Sequence, residues 1–565
     1  MSLAEYNCVY LRRLPWLRCG AAVLSGLLLS AAFAPLEWSW CAFIALVPLL
    51  VTPLPKRNIE RFGVGFLFGY THFATSLHWL NAVGFGAGWL LALYCALYPM
   101  IWYWLISYFA WRVKPVEILA KGDKPSSAPH APGARLAGIG VTPWRQFLVT
   151  MSVITGWTAL EWLRSWVFTG FPWNLIATSQ AFAPLTRQCL AVVGPFGLGT
   201  LIIAVNTALA LVFTCRHKCL RQPVVWLAVL MLIGCVGYGR YCATTQPAPI
   251  TKTFQVMAVQ GDLPECRAWN DEIYEFSWER YASLTRDGVA HAAQPLDLVV
   301  WPEGTLPCAI NFPRYASDLR GLLQELNGVP LLMGAIDFRP VNYQVLLKDS
   351  YAEEDFNCYN SAFLLTAQSP VLLNPSTVTR TDYYDKIHLV PFGEYVPFSK
   401  YFPWLPGIIG MGRDMASGKN YTLFTRNDVR FGVTICFEDV FPAISRQFMR
   451  NGADFLMTIT NDCWYPHSSE AHQHLAHAVM RAVENRAVLL RSGNNSDTCL
   501  ILPDGTISTP IRNAAGGQYG SGVGYYTIAL PQTPQLSIYC KYGDWPAWLC
   551  MILIATITIA LRKQK

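Results

Sequence analysis

The stretch Gly432–Pro442 reads GVTICFEDVFP and joins an apolar run to a thiol and two carboxylates. The run Val433–Ile435 ends at Cys436, and Glu438 and Asp439 follow within three residues. A buried cysteine usually serves as a small apolar side chain. At the carboxyl end of a strand in an α/β sheet, however, it lies where ligands bind. Whether Cys436 is a nucleophile therefore depends on which other residues the chain places beside it.

The composition indicates a chain that is partly embedded in a membrane. Of its 565 residues, 53% are hydrophobic and only 14% are charged. These values are too apolar for an ordinary soluble protein and too polar for a membrane bundle alone. The 17 cysteines include no CxxC pair, which argues against both a zinc site and a disulfide framework. The residues thus predict no metal and no cofactor.

Eight apolar stretches are long enough, on the order of 20 residues, to be predicted as membrane spans. They lie near 19–35, 38–54, 62–80, 88–111, 145–166, 189–214, 223–242 and 545–561. Lys and Arg are concentrated in alternate loops, on the side that would hold both termini, which predicts that the termini are cytoplasmic. The net charge of +7 is therefore largely a topology signal and argues against a nucleic-acid partner.

The region between the seventh and eighth spans has a different character. Short β-rich runs alternate with helical patterns there, and near-continuous apolar strands indicate a sheet covered on both faces. We predict a transmembrane domain at 1–243, an extracytoplasmic α/β catalytic domain at 244–544, and a last span with a short cytoplasmic tail at 545–565. In a bacterium with two membranes, the catalytic domain would be periplasmic and the chain a multi-pass protein of the inner membrane.

Charged residues follow two more strand-like or loop segments in apolar surroundings. Glu303 lies in WPEG, and Lys386 and Glu394 lie in YYDKIHLVPFGEYVPF (383–398). A nearby ammonium favours the thiolate form of a cysteine, and a carboxylate can accept and return protons. A lysine can also stabilise the oxyanion of a tetrahedral intermediate. Each charge alone is ordinarily a solvated surface group, but with Cys436 they predict an acyl-transfer site that works without histidine.

The order of these motifs resembles the nitrilase, or carbon–nitrogen hydrolase, superfamily with its Glu-Lys-Cys triad. The motifs are WPEGTLP (301–307), YYDKIHLVPFGEYVPF (383–398), GVTICFEDVFP (432–442) and ITNDCWYP (459–466). The membrane spans narrow the resemblance to the apolipoprotein N-acyltransferase family, as do GFLFGYTHFATSLHWL (65–80) and KYGDW (541–545). The resemblance extends over essentially the whole chain. It implies a polytopic α-helical membrane domain joined to a nitrilase-like αββα sandwich.

The resemblance also implies roles for individual residues. Cys436 is expected to be the nucleophile, Glu303 the general base, and Lys386 the cation that stabilises the oxyanion. Supporting or substrate-binding roles are expected for Glu394, Glu438, Trp269 and Phe437, and the apolar segment described below adds Trp404. Two positions depart from the family pattern, because Phe437 stands where Tyr is usual and Ser496 where Gly is usual.

The segment KYFPWLPGIIGMG (400–412) follows the lysine motif and is rich in apolar and aromatic residues. It is too short to span a membrane, and its prolines and glycines interrupt any regular period. A contiguous apolar patch beside a catalytic site marks a ligand or membrane contact. We expect a mobile lid in which Trp404 enters the outer leaflet. The alternative is a loop packed on the core of its own domain.

Two other signals have a structural interpretation. AHQHLAHAVMRAVENR (471–486) contains His472, His474 and His477, but on a helix only the last two share a face, and no acidic third ligand is obvious. A helix packed beside the active site is therefore expected rather than a zinc site. Cys463 follows another strand-like run without a Lys or Glu motif of its own, and we expect it to be structural.

The resemblance implies an enzyme that moves a fatty acyl chain from a phospholipid, through a thioester on Cys436, to the α-amino group of an apolipoprotein's N-terminal diacylglyceryl-cysteine. One alternative is a membrane-tethered amidase of the nitrilase type that hydrolyses a small amide. Another is a transporter with an inert extracytoplasmic domain. The spans contain few charges, with Glu161 and Arg164 near one end, so an ion relay has little support.

Overall fold

The computed structural model describes most of the chain and divides it into two compact units. The described residues are 3–84, 86–112, 143–245, 249–264, 271–306, 309–310, 313–342, 345, 352, 355–369, 382–402, 404, 413–465, 467–513, 516–517 and 519–562. The first unit comprises Met1–Thr245, Ser468–Gln473 and Tyr542–Lys565, and the second comprises Gln246–His467 and His474–Lys541. The three-part domain division from the sequence stays a prediction.

The helices are numbered here in chain order. They are α1 (Leu3–Ala31), α2 (Val47–Val51), α3 (Asn58–Ser76), α4 (Ala87–Arg112), α5 (Pro143–Arg164), α6 (Leu190–Cys215), α7 (Pro223–Thr244), α8 (Asp271–Ala290), α9 (Pro313–Glu325), α10 (Pro442–Arg450), α11 (Glu470–Asn485), α12 (Ile538–Tyr542) and α13 (Trp545–Arg562).

Within the described residues, five helical segments are long and apolar enough to cross a membrane. They are Leu14–Ala31, Ala87–Arg112, Thr186–Cys215, Pro223–Thr244 and Trp545–Arg562. These segments coincide with five of the eight predicted spans. The spans predicted near 62–80 and 145–166 coincide with helices α3 and α5, which are 19 and 22 residues long but are not among the segments apolar enough to cross a membrane.

The span predicted near 38–54 is not one continuous helix. It contains two five-residue helices, Ser39–Phe43 and α2, and Pro48 of α2 has no backbone N–H to continue a helical ladder. Asn206 of α6 satisfies the backbone at the interruption: its Oδ1 accepts from the N–H of Leu46 at 2.9 Å, and its Nδ2 donates to the carbonyl of Ala42 at 2.8 Å. A buried amide therefore replaces the hydrogen bonds that an unbroken helix would make.

A second buried amide, Gln473, organises another part of the first unit. Its Oε1 accepts from the indole N–H of Trp79 at 3.1 Å and from that of Trp173 at 2.8 Å. Its Nε2 donates to the carbonyls of Ala34 at 3.0 Å and Ser76 at 3.1 Å. One side chain therefore links three segments of the first unit that are far apart in sequence.

The strands of the second unit form two sheets. They are β1 (Ile250–Gln260), β2 (Leu298–Val300), β3 (Leu331–Pro340), β4 (Phe356–Leu365), β5 (Tyr383–Asp385), β6 (Leu423–Arg426), β7 (Val429–Ile435), β8 (Phe455–Thr460), β9 (Leu489–Gly493), β10 (Cys499–Ile501) and β11 (Gly522–Pro531). The strand orders are β11-β1-β2-β3-β4-β5 and β10-β9-β8-β7-β6. The central pairs β1–β2, β2–β3, β7–β8 and β8–β9 are parallel.

The two sheets face each other, and helices cover their outer faces. Phe254 of β1 packs against Phe431 of β7 and Phe455 of β8, with ring centroids 6.3 and 5.8 Å away. Helices α8 and α9 contribute to a core with β1, β2 and β3. On the other sheet, a Cβ at Gly432 would lie 2.4 Å from the ring of Phe448 in α10, so glycine permits close packing of that helix. This layering confirms the predicted αββα sandwich.

Candidate active site

The ends of three strands carry the three predicted catalytic residues. Glu303 lies three residues after β2, Lys386 directly follows β5, and Cys436 directly follows β7. Strand β3 approaches the glutamate closely, because a Cβ on Gly334 would lie 2.7 Å from the Cα of Glu303. Glycine at this position thus lets the neighbouring strand support the backbone of the glutamate.

Lys386 lies in a buried cluster of two carboxylates and an amide. Its side chain is only 1% exposed, and its Nζ donates to Oε1 of Glu394 at 2.8 Å and lies 3.5 Å from Oε1 of Glu303. Asn360 joins the two glutamates, because its Nδ2 donates to Oε1 of Glu303 at 2.7 Å and to Oε1 of Glu394 at 2.8 Å. Burial lowers the pKa of Lys386, but the charges of Glu394 and Glu303 outweigh burial and hold the pKa above its ordinary value. The lysine is therefore a fixed cation.

Sequence reasoning did not identify the amides around Glu303. Asn360 lies within β4, where Asn357 and Ser361 are also polar, so no local signal distinguishes it. The backbone N–H of Asn461 donates to Oε2 of Glu303 at 3.2 Å, and Oδ1 of Asn461 accepts from Nδ2 of Asn494 at 3.0 Å. The carboxylate of Glu303 is thus held at both oxygens.

Cys436 lies on a sharp turn with a backbone conformation that is unusual for a residue with a side chain. Its φ is +52°, in the left-handed region. The residue is partly exposed. Burial raises the pKa of its thiol well above the usual range, Glu303 adds to this, and Lys386 and His474 oppose it. The resting thiol is therefore protonated at neutral pH, and a base must accept its proton when it reacts.

Glu438 connects the cysteine turn to the segment that follows the lysine. Its Oε1 accepts from the hydroxyl of Tyr384 at 2.8 Å and from the backbone N–H groups of Ile387 at 2.7 Å and His388 at 3.1 Å. Its Oε2 accepts from the N–H of Ile435 at 2.9 Å. Burial raises its pKa to about 7 despite these donors. This side chain therefore ties the turn at Cys436 to the segment around Lys386, and its supporting role in the reaction stays a prediction.

The remaining predicted residues are less closely tied to this cluster. Phe437 is buried, and its ring centroid lies 5.2 Å from that of Phe441. Trp404 is 61% exposed and contacts the ring of Phe402. Trp269 lies outside the described residues, as do 403 and 405–412 of the predicted lid. Cys463 is buried, as expected of a structural cysteine.

Residues 471–485 of the histidine-rich segment lie in helix α11, and His474 contacts the cysteine turn. Its Nε2 lies 3.3 Å from the main-chain oxygen of Cys436. The sequence did not show that two carboxylates lie next to His474. Oδ1 of Asp439 lies 2.9 Å from its Nε2, and Oδ1 of Asp462 lies 3.1 Å from its Nδ1. The expectation of a helix beside the active site is consistent with this position.

Comparisons with known proteins agree with this architecture. Residues 25–208 match the model of the apolipoprotein N-acyltransferase N-terminal domain, and residues 256–536 match that of carbon–nitrogen hydrolase. The apolipoprotein N-acyltransferase of Geobacter metallireducens is 31% identical over 96% of this chain and 95% of its own length. That of Rickettsia prowazekii is 26% identical over 95% of this chain and 96% of its own length. That of Shewanella oneidensis is 27% identical over 98% of this chain and 98% of its own length.

These matches favour the acyltransferase prediction over the amidase alternative. The N-terminal match lies in the helical first unit, and the C-terminal match lies in the sandwich that holds the cysteine and the lysine. The near-complete coverage of a relative at 31% identity extends the likeness to the whole chain. The chain is therefore a membrane-bound N-acyltransferase that belongs to the apolipoprotein N-acyltransferase family.

Proposed function

We propose that this chain transfers a fatty acyl group from a membrane phospholipid, through a thioester on Cys436, to the α-amino group of the N-terminal diacylglyceryl-cysteine of apolipoproteins. The observation that carries the proposal is the cluster at the strand ends, where Lys386 is buried between Glu394 and Glu303 directly after β5 and Cys436 directly follows β7. A nucleophile, a base and an oxyanion-stabilising cation are the groups that acyl transfer requires.

The first half-reaction acylates the enzyme. Glu303 accepts the thiol proton as the sulfur of Cys436 attacks the carbonyl carbon of a phospholipid ester. The ammonium of Lys386 stabilises the negative oxygen of the tetrahedral intermediate. The C–O bond then breaks, and Glu303 returns the proton to the glycerol oxygen, which leaves as a lysophospholipid.

The second half-reaction transfers the acyl group to the peptide. The neutral α-amino nitrogen attacks the thioester carbon and loses a proton to Glu303, and the oxyanion again lies beside Lys386. The C–S bond breaks as the amide forms, and the proton on Glu303 restores the Cys436 thiol. The enzyme therefore alternates between a free thiol and a thioester, as a ping-pong mechanism requires.

Exposed aromatic residues support a role for residues 400–412 as a lipid-contacting lid. Tyr401, Phe402 and Trp404 are 76%, 48% and 61% exposed and begin this segment. Large aromatic side chains favour the membrane–water interface. In this proposal the segment enters the outer leaflet, admits the phospholipid, and withdraws before the peptide amine enters.

The proposed topology has eight crossings, seven within residues 1–243 and the eighth within 545–565. The basic residues of alternate loops support cytoplasmic termini and a catalytic domain on the extracytoplasmic side, in the periplasm of a bacterium with two membranes. The second crossing would be the interrupted segment 38–54. Irregular backbone is tolerated at membrane depth where protein groups satisfy it, as Asn206 does here.

The deciding experiment supplies purified full-length protein with phospholipid carrying a labelled acyl chain and no acceptor. We expect covalent label on Cys436 that hydroxylamine removes, and we expect no label on a Cys436→Ala variant that remains folded. Adding a diacylglyceryl-cysteine peptide should then move the label to its α-amino group. Label that persists in Cys436→Ala, or wild-type protein that takes no label while hydrolysing small amides, would reject the proposal.

A further inference from the structure

His474 of helix α11 contacts the backbone of Cys436, the proposed nucleophile. Its side chain is only 1% exposed. The Nε2 atom lies 2.9 Å from Oδ1 of Asp439 and 3.3 Å from the main-chain oxygen of Cys436, and Nδ1 lies 3.1 Å from Oδ1 of Asp462. Each ring nitrogen therefore faces a carboxylate oxygen. Only the imidazolium form carries an N–H on both nitrogens and can donate in both directions.

The surrounding charges also require a protonated ring. Nη2 of Arg491 donates to Oδ2 of Asp462 at 2.7 Å, and its Nη1 lies 3.5 Å from Oδ2 of Asp439. Two cations thus alternate with two carboxylates in a closed, buried ring. With a neutral His474, one buried carboxylate would lack its compensating charge, which is strongly unfavourable in a protein interior. Burial lowers the pKa of His474, but Asp439 and Asp462 outweigh burial and hold it well above the ordinary value.

The backbone of Cys436 needs such support. Its φ of +52° is unfavourable for a residue with a side chain, and such a conformation persists only where the surroundings hold it. On one side, Oε2 of Glu438 accepts a hydrogen bond from the backbone N–H of Ile435. On the other side, His474 faces the carbonyl oxygen of Cys436. The turn that exposes the thiol is therefore held from both ends.

The thiol also lies in the field of four charged groups from four elements. Glu303 after β2 and Asp462 after β8 disfavour the thiolate, whereas Lys386 after β5 and His474 of α11 favour it. Lys386 is already paired with two glutamates. His474 therefore supplies a second positive charge that offsets the effect of Glu303 and Asp462 on the thiol.

We propose that His474 is a positioning residue of the acyl-transfer reaction, whose fixed imidazolium holds the Cys436 turn and stabilises the thiolate from behind. The inference rests on the proposed role of Cys436 as the nucleophile. The ring does not touch substrate, and it transfers no proton. In this proposal the positive charge of the His474 ring acts on Cys436, and the ring does not serve as an acid or a base.

The test measures the thiol itself rather than turnover. Full-length protein in detergent is treated with iodoacetamide between pH 6 and 11, and the modification of Cys436 is followed by peptide mass spectrometry, which separates it from the other cysteines. We expect His474→Gln to slow modification about tenfold at pH 8, the change that one pKa unit of the thiol produces, and to move the whole profile to higher pH. The matched control is His477→Gln, which removes another buried imidazole from the same helix.

A His477→Gln profile like that of the wild type, beside a shifted His474→Gln profile, supports the inference. Equal profiles in wild type and His474→Gln overturn it. If His474→Gln does not fold, Asp439→Asn is the deciding variant. It keeps the imidazole ring of His474 and removes the carboxylate that lies 2.9 Å from its Nε2 atom. Slower modification in that variant supports the inference, and a wild-type profile overturns it. Failure of the wild type to form a thioester would reject the proposed function instead, whatever the alkylation rates show.

Discussion

The Nζ atom of Lys386 lies 2.8 Å from Oε1 of Glu394, closer than to the carboxylate that is proposed to act as the base. The corresponding distance to Oε1 of Glu303 is 3.5 Å. Glu394 also accepts the backbone N–H of Val390 at 2.8 Å with its other oxygen, so it is anchored within the same loop as the lysine. The direct ion pair with Glu394 therefore positions the lysine, and its contact with Glu303, the proposed base, is the longer of the two.

Lys386→Arg should inactivate the enzyme although it keeps the positive charge. The buried site holds a compact ammonium between two glutamates. The planar guanidinium of arginine cannot replace a single nitrogen that faces both carboxylates and an oxyanion. We expect acylation by labelled phospholipid to fall roughly 10²–10³-fold, the loss typical of removing one oxyanion donor. Lys252→Arg, at an exposed lysine, is the control. Near wild-type acylation in Lys386→Arg would contradict the assigned role.

Gly334→Ala should impair catalysis by displacing Glu303, the proposed base. A Cβ at this position would lie 2.7 Å from the Cα of Glu303, so the glutamate backbone or β3 must move. Misplacement of a catalytic group by about 1 Å can cost roughly 10²-fold in rate. Gly321→Ala is the matched control, because apart from the adjacent backbone of helix α9 no described atom lies within 4 Å of its Cβ position. Single-turnover acylation should fall in the first variant only, and equal rates in both variants would refute the prediction.

His388 should make stability depend on pH below neutrality. Its ring packs against Phe441 with centroids 3.6 Å apart, and burial together with the Lys386 charge lowers its pKa to about 4. The unfolded chain, with a histidine pKa of about 6.5, binds this proton first as pH falls. The stability from the neutral ring is therefore complete above about pH 6.5 and is lost as pH falls towards 4.

His388→Phe keeps a ring but removes the titration. We expect its unfolding temperature to fall less than that of the wild type between pH 7 and 4.5. His291→Phe, at an exposed histidine, should follow the wild type. A constant difference between wild type and His388→Phe across this range would show that the ring does not titrate in this window.

Gln473→Leu should destabilise the first unit. Leucine removes the shared acceptor of the Trp79 and Trp173 indoles and the donor to the carbonyls of Ala34 and Ser76. Loss of buried hydrogen-bond partners costs roughly 1–3 kcal/mol per group. Thermal unfolding in detergent should occur several degrees lower than in Gln447→Leu, which removes one exposed hydrogen bond. Equal midpoints would mean that this amide contributes little.

The proposed lid at residues 400–412 should matter mainly for lipid donors. Replacing Trp404 and Leu405 with serine should weaken acylation by a long-chain phospholipid far more than acylation by a small water-soluble acyl donor, because only the first must leave a bilayer. The ratio of the two rates is the measurement. Equal losses with both donors would support a loop packed on its own domain.

Much of this site could be predicted from local sequence. Apolar runs bounded by polar and turn residues identified the strands that precede Glu303 and Cys436, because alternation and burial leave a signal within a few residues. Hydropathy likewise identified the five apolar segments now seen as helices. The resemblance to the family then assigned roles to residues that composition alone left as ordinary surface charges.

The supporting network needed the tertiary structure, because its partners are distant in sequence. Asn360 reaches Glu303 from 57 residues away, and His474 reaches the carbonyl of Cys436 from 38 residues away. Hydropathy also could not reveal that segment 38–54 is interrupted and satisfied by Asn206, 160 residues beyond Leu46. Local pattern thus determined which segments are strands or apolar helices and which residues end them. Packing alone decided which buried charges and amides meet, because a buried polar group is stabilised only by partners that the completed fold brings within hydrogen-bonding distance.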